Sequence, residues 1–265
     1  MSAELVRLKK MRLSRGGRLL WKDLDFVVNP GEFIAVLGPN GAGKTSLLKV
    51  LLGLLDPDTG SVRIEGRPPR KGNPHIGYVP QHRGFDQYLP IRGIDLVHLG
   101  LDGHRFGIGA NHKTVRAKVD RAIRDVGASR YASMPIGLLS GGEQQRLRIA
   151  QAMAGQPSLL LCDEPLLSLD LASQRKVTKL ISDYRARHKA AVLFVTHEIN
   201  PILPWVDRVL YIANGHWVID TPDKVLRSKT LSELYGTPIE VVRAKGRVIV
   251  VGAEDAATAH HGDHA

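Results

Sequence analysis

The chain has few of the residues that would tie it to an oxidising setting or a bilayer. Cys162 is its only cysteine in 265 residues, so no internal disulfide can form and a reducing compartment fits. No stretch reaches the roughly 18–20 uncharged apolar residues that a membrane-spanning helix needs. The basic opening from Met1 to Arg15 is not followed by an apolar block of signal-peptide length, which argues against secretion. Aromatic residues make up 5% of the chain, and the interleaved aromatic motifs of RNA-binding sheets are missing. Acidic residues are short too: 26 Asp and Glu stand against 37 Lys and Arg, a formal net charge of +11. Such an excess suits nucleic acid, nucleotide phosphate or an acidic inner leaflet, and equally a basic surface that serves only solubility.

What remains is enough for one sizeable core, with 43% hydrophobic residues. Phe33 to Leu37 (FIAVL) reads as a buried strand that stops at GPNGAGKTS, after which LLKVLLGLL reads as a helix packed on a sheet. Asp56 to Gly60 makes a turn, SVRIEG alternates as a strand should, and Ile76 to Gln81 (IGYVPQ) holds another. From about His82 to Leu139 helical periodicity takes over, with Val115, Val119, Ala122, Ile123 and Val126 on one face. The α/β pattern resumes with LLLCDE (Leu159 to Glu164), a helix striped by Val177, Leu180, Ile181 and Tyr184, and the strand AVLFVTH. RVLYIANG and WVIDTP add two further strands. This alternation predicts an α/β fold with a mostly parallel sheet and helices on both faces. Val241 to Val251 predicts an appended hairpin, and residues 253–265, without apolar periodicity, are expected to be disordered.

The glycine-rich segment carries the chemistry. Gly38, Pro39, Asn40, Gly41, Ala42, Gly43, Lys44 and Thr45, followed by Ser46, match G-x-x-x-x-G-K-[ST] between a strand and a helix. Glycines let the backbone wrap until successive N–H groups face phosphate oxygens, and the following helix adds its positive dipole end. Lys44 then supplies a point charge to the β and γ phosphates, and the Thr45 hydroxyl is placed to ligate Mg²⁺. LLLCDE puts Asp163 and Glu164 at the exit of a buried strand, where side chains meet a ligand at the sheet's carboxyl edge. Asp163 suits Mg²⁺, directly or through water, and Glu164 suits a general base for the attacking water. Cys162 is expected in the core without a redox role.

A third segment, Leu139-Ser140-Gly141-Gly142-Glu143, forms an S-x-x-E capping box that opens the helix EQQRLRIAQAM. A well-capped helix needs no ligand. Yet the two glycines behind the cap leave bare N–H groups, an anion site that a chain with its own phosphate loop would use for the nucleotide of another subunit.

In these segments the chain resembles the ATP-binding cassette ATPase family over about residues 4–240. GPNGAGKT resembles its Walker A, LLLCDE its Walker B and LSGGE its signature, in the family's order. Gln81 resembles the Q-loop glutamine, Asp170 in LLSLD the D-loop aspartate, and His197 the switch histidine. The resemblance implies a P-loop NTPase core with a mixed, mostly parallel sheet, an N-terminal antiparallel β subdomain and an inserted helical subdomain at about 82–139. The ATPase domain would span 1–240, followed by a β appendage over 241–252 and a disordered tail over 253–265. It further implies a head-to-tail dimer, of two copies or with a paired ATPase subunit. Each ATP with its Mg²⁺ would lie between Walker A of one chain and Ser140, Gly141 and Gly142 of the other. Gln81 would sense Mg²⁺ and the γ-phosphate, and His197 would contact that phosphate and position Glu164. A transmembrane permease would hold the chain at the cytoplasmic face of the membrane.

Two positions depart from the family pattern. The adenine-stacking aromatic, about seven residues before the Lys22-Asp23 pair that should precede the second strand, falls on Arg15, whose planar guanidinium could stack instead or simply serve a turn. Trp21 is expected in the core. The D-loop carries Leu167 and Ser168 where Ser and Ala are commoner. YVPQHRGFDQYLPIRGIDLVHLG, with Pro90, Ile91 and Asp95, resembles the manganese/zinc-type importers, which work with an extracytoplasmic solute-binding protein; haem, siderophore and cobalamin importers are close relatives. The region from Phe85 to Leu99 would receive the permease's coupling helix. His260, His261, Asp263 and His264 in the tail offer imidazole and carboxylate to a divalent metal, or stand there incidentally. A soluble cassette ATPase acting on nucleic acid is the competing reading, but it usually carries two cassettes or a long coiled coil, and neither is visible. A regulatory P-loop protein without hydrolysis is disfavoured by the intact Glu164 and His197.

Overall fold

The computed structural model describes residues 4–81, 84–86, 88–102 and 112–252, and the structural statements that follow concern those residues. β1 (Val6–Arg15) and β2 (Arg18–Val28) form a long antiparallel hairpin. Along β1 the buried residues run Val6, Leu8, then Met11, Leu13, so the two-residue period slips by one. Lys10 takes up the slip with φ 44°, and Asp23 does the same on β2 with φ 51°. Lys22 and Asp23 therefore lie inside β2, not before it as their sequence position suggested. The bulge explains the error, because it interrupts the alternation by which a strand is read.

The chain then enters the central layer with β3 (Phe33–Leu37), every residue of which is buried, and α1 (Lys44–Leu51). β4 (Thr59–Ile64) returns to pair with β1, which completes a three-stranded antiparallel sheet in the order β2-β1-β4. β5 (Ile76–Val79) leads to the helical stretch α2 (Gly93–Asp102), α3 (His112–Asp125) and α4 (Gly141–Met153). Next come β6 (Leu159–Asp163), α5 (Leu171–His188) and β7 (Ala191–Val195), followed by the antiparallel pair β8 (Arg208–Ala213) and β9 (His216–Asp220). The main sheet runs β5-β6-β7-β3-β8-β9, parallel except for β9. The short α6 (Pro222–Val225), α7 (Ser228–Tyr235) and the hairpin β10 (Ile239–Ala244) and β11 (Arg247–Gly252) close the described chain.

Period two divides the central strands between two cores. Phe33, Ala35, Leu160, Cys162, Val192 and Phe194 face the helices α2 to α5, where Val119, Ile123, Leu147, Val177 and Ile181 meet them. Ile34, Val36, Leu159, Leu161, Leu193 and Val195 face the other way, against α1 and the antiparallel sheet. Helices lie on both faces as expected, and on the second face α1 shares the cover with the expected N-terminal antiparallel sheet. Cys162 is fully buried in the first core, and burial pushes its thiol well above the usual range, which leaves it without thiolate character.

Candidate functional site

The parallel strands end in register. Val36 pairs with Val195, Asp163 with Val195, and Val79 with Cys162, so the residues just beyond β3, β5, β6 and β7 converge on one edge of the sheet. Those residues are the glycine-rich loop, Gln81, Asp163 with Glu164, and His197.

Beyond β3 the loop wraps tightly: the Ala42 N–H donates to the Pro39 carbonyl (3.2 Å) and Leu47 N–H to Gly43 O (2.9 Å). Gly38 has φ 141°, and a Cβ there would lie 2.0 Å from the Ile212 carbonyl oxygen of β8, so only glycine fits. Gly43, the N-cap of α1 at φ 94°, packs against Trp21, which is fully buried as expected. The Lys44 ammonium curls over the loop and donates to the carbonyls of Gly38 (2.7 Å) and Pro39 (2.9 Å). It is buried, and desolvation lowers its pKa against the opposing pull of the Glu164 and Asp163 charges.

Asp163 ends β6 almost fully buried. It accepts from the Thr45 hydroxyl (3.1 Å) and from the Tyr78 hydroxyl on β5 (3.5 Å). Burial raises its pKa, the neighbouring Glu164 adds to the rise, and the Thr45 bond opposes it. Burial and Asp163 together push the Tyr78 phenol up to about 12. One residue on, Glu164 stands at φ 48° with its N–H donating to Val195 O (3.0 Å), a left-handed conformation that turns its carboxylate across the sheet edge. Both carboxylate oxygens are engaged: Oε1 with His197 Nε2 at 2.5 Å, and Oε2 with the Gln81 side-chain N–H at 3.1 Å. Glu164 is 12% exposed and His197 43%, so the carboxylate is sheltered while the imidazole reaches outward. A cavity lined by Glu164, Leu167, Ser168, Gln174 and His197 opens beside them.

The second anion-type segment lies at the start of α4. Ser140 is its N-cap and Glu143 completes the capping box: Glu143 Oε2 accepts from Ser140 N–H (2.9 Å) and Oγ (2.7 Å), and these bonds hold its carboxyl below the usual range. Ser140 and Gly141 are exposed. A Cβ on Gly142 would stand 3.1 Å from Ser173 Oγ, so the glycine lets α4 approach the start of α5. Asp170 caps α5, accepting from Ser173 N–H (2.8 Å) and Oγ (2.9 Å), while Ser168 takes φ 64° and Leu167 is 42% exposed.

Three groups were not singled out from the sequence. Tyr78 holds Asp163, as above. Gln144 donates to Ile136 O (3.0 Å) and Leu139 O (3.1 Å) and accepts from Phe85 N–H (3.4 Å), which ties α4 to the segment after Gln81. Arg18 is the third. Arg15 donates to Ser14 O and Asp56 O and pairs with Asp58 at 3.9 Å, so its guanidinium serves the turn before β4. Arg18, three residues later, brings Nη1 to 3.5 Å from where a Gly41 Cβ would stand, beside the phosphate loop. Only the folded hairpin reveals which arginine lies there. The tail residues His260, His261 and His264 lie outside the described residues, as do His82 and Arg83 after Gln81.

Residues 21–167 match the model of the ABC transporter family. The chain is 34% identical over 238 residues to the zinc import ATP-binding protein ZnuC of Pseudomonas syringae pv. syringae (strain B728a), covering 89% of this chain and 84% of that protein. It is also 34% identical over 236 residues to the ZnuC of Pseudomonas aeruginosa (strain PAO1), covering 89% and 81%. Among solved structures, an inward-facing ABC transporter assigned to the metal-chelate type superposes with a TM-score of 0.78 at 26% identity, over 94% of this chain and 96% of that one. A dimeric ATP-binding cassette in a post-hydrolysis state with ADP and Pi superposes with a TM-score of 0.68 at 25% identity, over 82% and 98%.

Proposed function

The chain belongs to the ABC transporter family, and on that premise we propose that it is the ATPase of an importer of divalent metal ions, with zinc as the cargo. It binds and hydrolyses ATP, and the hydrolysis is coupled to transport. Support for zinc comes from relatives about a third identical across 89% of the chain, whose names give zinc import. A metal chelate is the second reading, favoured by the 26%-identical structure of that type. Among the described residues no helix is long and apolar enough to cross a membrane, so the chain would reach the bilayer through a permease, and its cargo through a solute-binding protein.

The observation that carries the catalytic assignment is the Glu164 carboxylate held at both oxygens, by His197 and Gln81, beside the phosphate loop. Lys44 and the loop Gly38 to Ser46, through the N–H groups that follow Pro39, bind the phosphates. Glu164 takes the proton of a water whose oxygen attacks the γ-phosphorus as the bond to the β-bridging oxygen breaks. His197 keeps Glu164 aimed and contacts the γ-phosphate. Thr45, Asp163 and Gln81 suit Mg²⁺, since the Thr45 and Asp163 oxygens are hard donors 3.1 Å apart. Bound there, Mg²⁺ supplies positive charge against the phosphates. Ser140, Gly141, Gly142 and Asp170 face the nucleotide of a second copy. Arg18, beside Gly41, brings its charge to the nucleotide, while Arg15 is held in the turn before β4.

Arg18→Ala is expected to weaken ATP binding two- to fivefold, about 1 kcal/mol or less for an exposed charge contact, and Arg15→Ala to leave it unchanged. The reverse order of effects, by isothermal titration, would return the role to Arg15. The cargo is tested by uptake of radioactive zinc and manganese in cells carrying the wild-type chain or Glu164→Gln. Zinc uptake should vanish in the variant. Zinc uptake equal to wild type would rule the proposal out, and tight, salt-sensitive binding of RNA or DNA would favour a nucleic-acid role.

A further inference from the structure

The C-terminal hairpin is hydrogen-bonded to the loop after β7 through Asn200. Asn200, three positions after His197, donates from Nδ2 to the Val248 carbonyl (3.0 Å) and accepts at Oδ1 from the Val248 N–H (2.8 Å). A strand at the edge of a two-stranded sheet presents outward N–H and C=O groups in pairs. The Asn200 amide satisfies one such pair as a neighbouring strand would. The contact spans 48 residues of sequence and joins the loop after β7 to β11.

Both ends of this contact are anchored. On the loop side Thr196 Oγ1 accepts from Glu198 N–H (3.1 Å) and donates to Glu198 O (2.9 Å), and Ile199 and Ile202 are buried. On the hairpin side Ser228 Oγ accepts from Val241 N–H (2.9 Å), Ser232 Oγ from Ile239 N–H (2.9 Å), and Arg243 pairs with Asp223 (2.9 Å). Tyr235 then ties α7 to β8 through its hydroxyl to that of Tyr211 (3.0 Å) and its carbonyl to the Asn214 amide (2.8 Å). Between hairpin and loop lies a cavity of about 170 Å³ lined by Gly38, His197, Asn200, Tyr211, Val248 and Val250. The half-exposed His197 ring is thus fixed by its contact with Glu164 and by a loop whose outer side rests on the hairpin.

We propose that Asn200 is a positioning residue for His197, and that the hairpin β10–β11 braces the switch loop through it. The inference rests on the reading of His197 as part of the hydrolytic site and assigns the appendage a part in catalysis. Removing the amide leaves the phosphate loop untouched but frees the segment that aims His197 at Glu164, so the loss should fall on the chemical step.

The test measures steady-state ATP hydrolysis by the full chain in wild type, Asn200→Ala, Asn200→Asp and His197→Ala, with melting temperatures alongside. Asn200→Ala should lower kcat about tenfold with KM for ATP unchanged. Asn200→Asp, which keeps the acceptor for the Val248 N–H, should recover part of that loss. A kcat within twofold of wild type in Asn200→Ala overturns the proposal, and so does a joint loss of kcat, KM and melting temperature, the pattern of a purely structural role. If Asn200→Ala does not fold, Asn200→Asp decides by the same criteria. His197→Ala separates the two layers: normal turnover there removes the hydrolytic reading of His197, whereas an inactive His197→Ala beside a normal Asn200→Ala removes this inference alone.

Discussion

Glu164→Gln should lower ATP turnover by roughly 10²–10⁴-fold, the span that a positioned general base contributes. Glutamine has about the volume of the carboxylate and keeps one acceptor oxygen for the Gln81 N–H while its own NH2 faces His197, but it has no site to receive the water's proton. Its neutral side chain also removes a negative charge from a site that must take a triphosphate, so ATP affinity should hold or rise. With binding intact and hydrolysis stopped, two chains should remain closed around ATP, and the variant should elute as a dimer in ATP and as a monomer without it. Turnover near wild type would take the base role from Glu164. Absence of an ATP-dependent dimer would separate base catalysis from subunit closure.

Lys44→Ala should act one step earlier. The ammonium is buried beside its own loop and shared between two backbone carbonyls, so it is placed to pass to phosphate oxygens with little rearrangement. Hydrogen bonds to charged groups contribute about 1.5–3 kcal/mol, so ATP should bind roughly ten- to a hundredfold more weakly. Turnover should be lost as well, because the same charge meets the negative charge on the transferring phosphoryl group. Calorimetric titration that gives a wild-type Kd would contradict the assignment of the loop.

How much could be read in advance follows from how each element is stabilised. β3, β6 and β7 are buried on both faces and appear as uninterrupted apolar runs, so they and the residues at their ends were legible. Because strand ends in a parallel sheet share an edge, Asp163 and Glu164 could be placed there from the pattern alone, whereas Gln81 and His197 joined them only through the family resemblance. β1 and β2 were not legible from alternation, since the bulges at Lys10 and Asp23 shift the apolar phase in mid-strand. The contacts of Arg18 and Asn200 were out of reach for a different cause. Each depends on where a turn sends a side chain or where a hairpin 48 residues away comes to rest, and no local pattern encodes that. The capping box at Ser140 was read correctly as local structure, but its use by a second chain is a property of the assembly.

That use is the central claim, and mixing two inactive variants tests it. Lys44→Ala breaks the phosphate loop, and Ser140→Arg fills the start of α4. In a head-to-tail dimer that pairs one chain of each kind, both lesions fall in the same composite site and the other site is whole. The account predicts that each variant alone is inactive and that an equimolar mixture recovers up to about a quarter of wild-type turnover, since half the dimers are mixed and each keeps one of two sites. A mixture as inactive as its parts would mean that each chain binds and hydrolyses its nucleotide by itself.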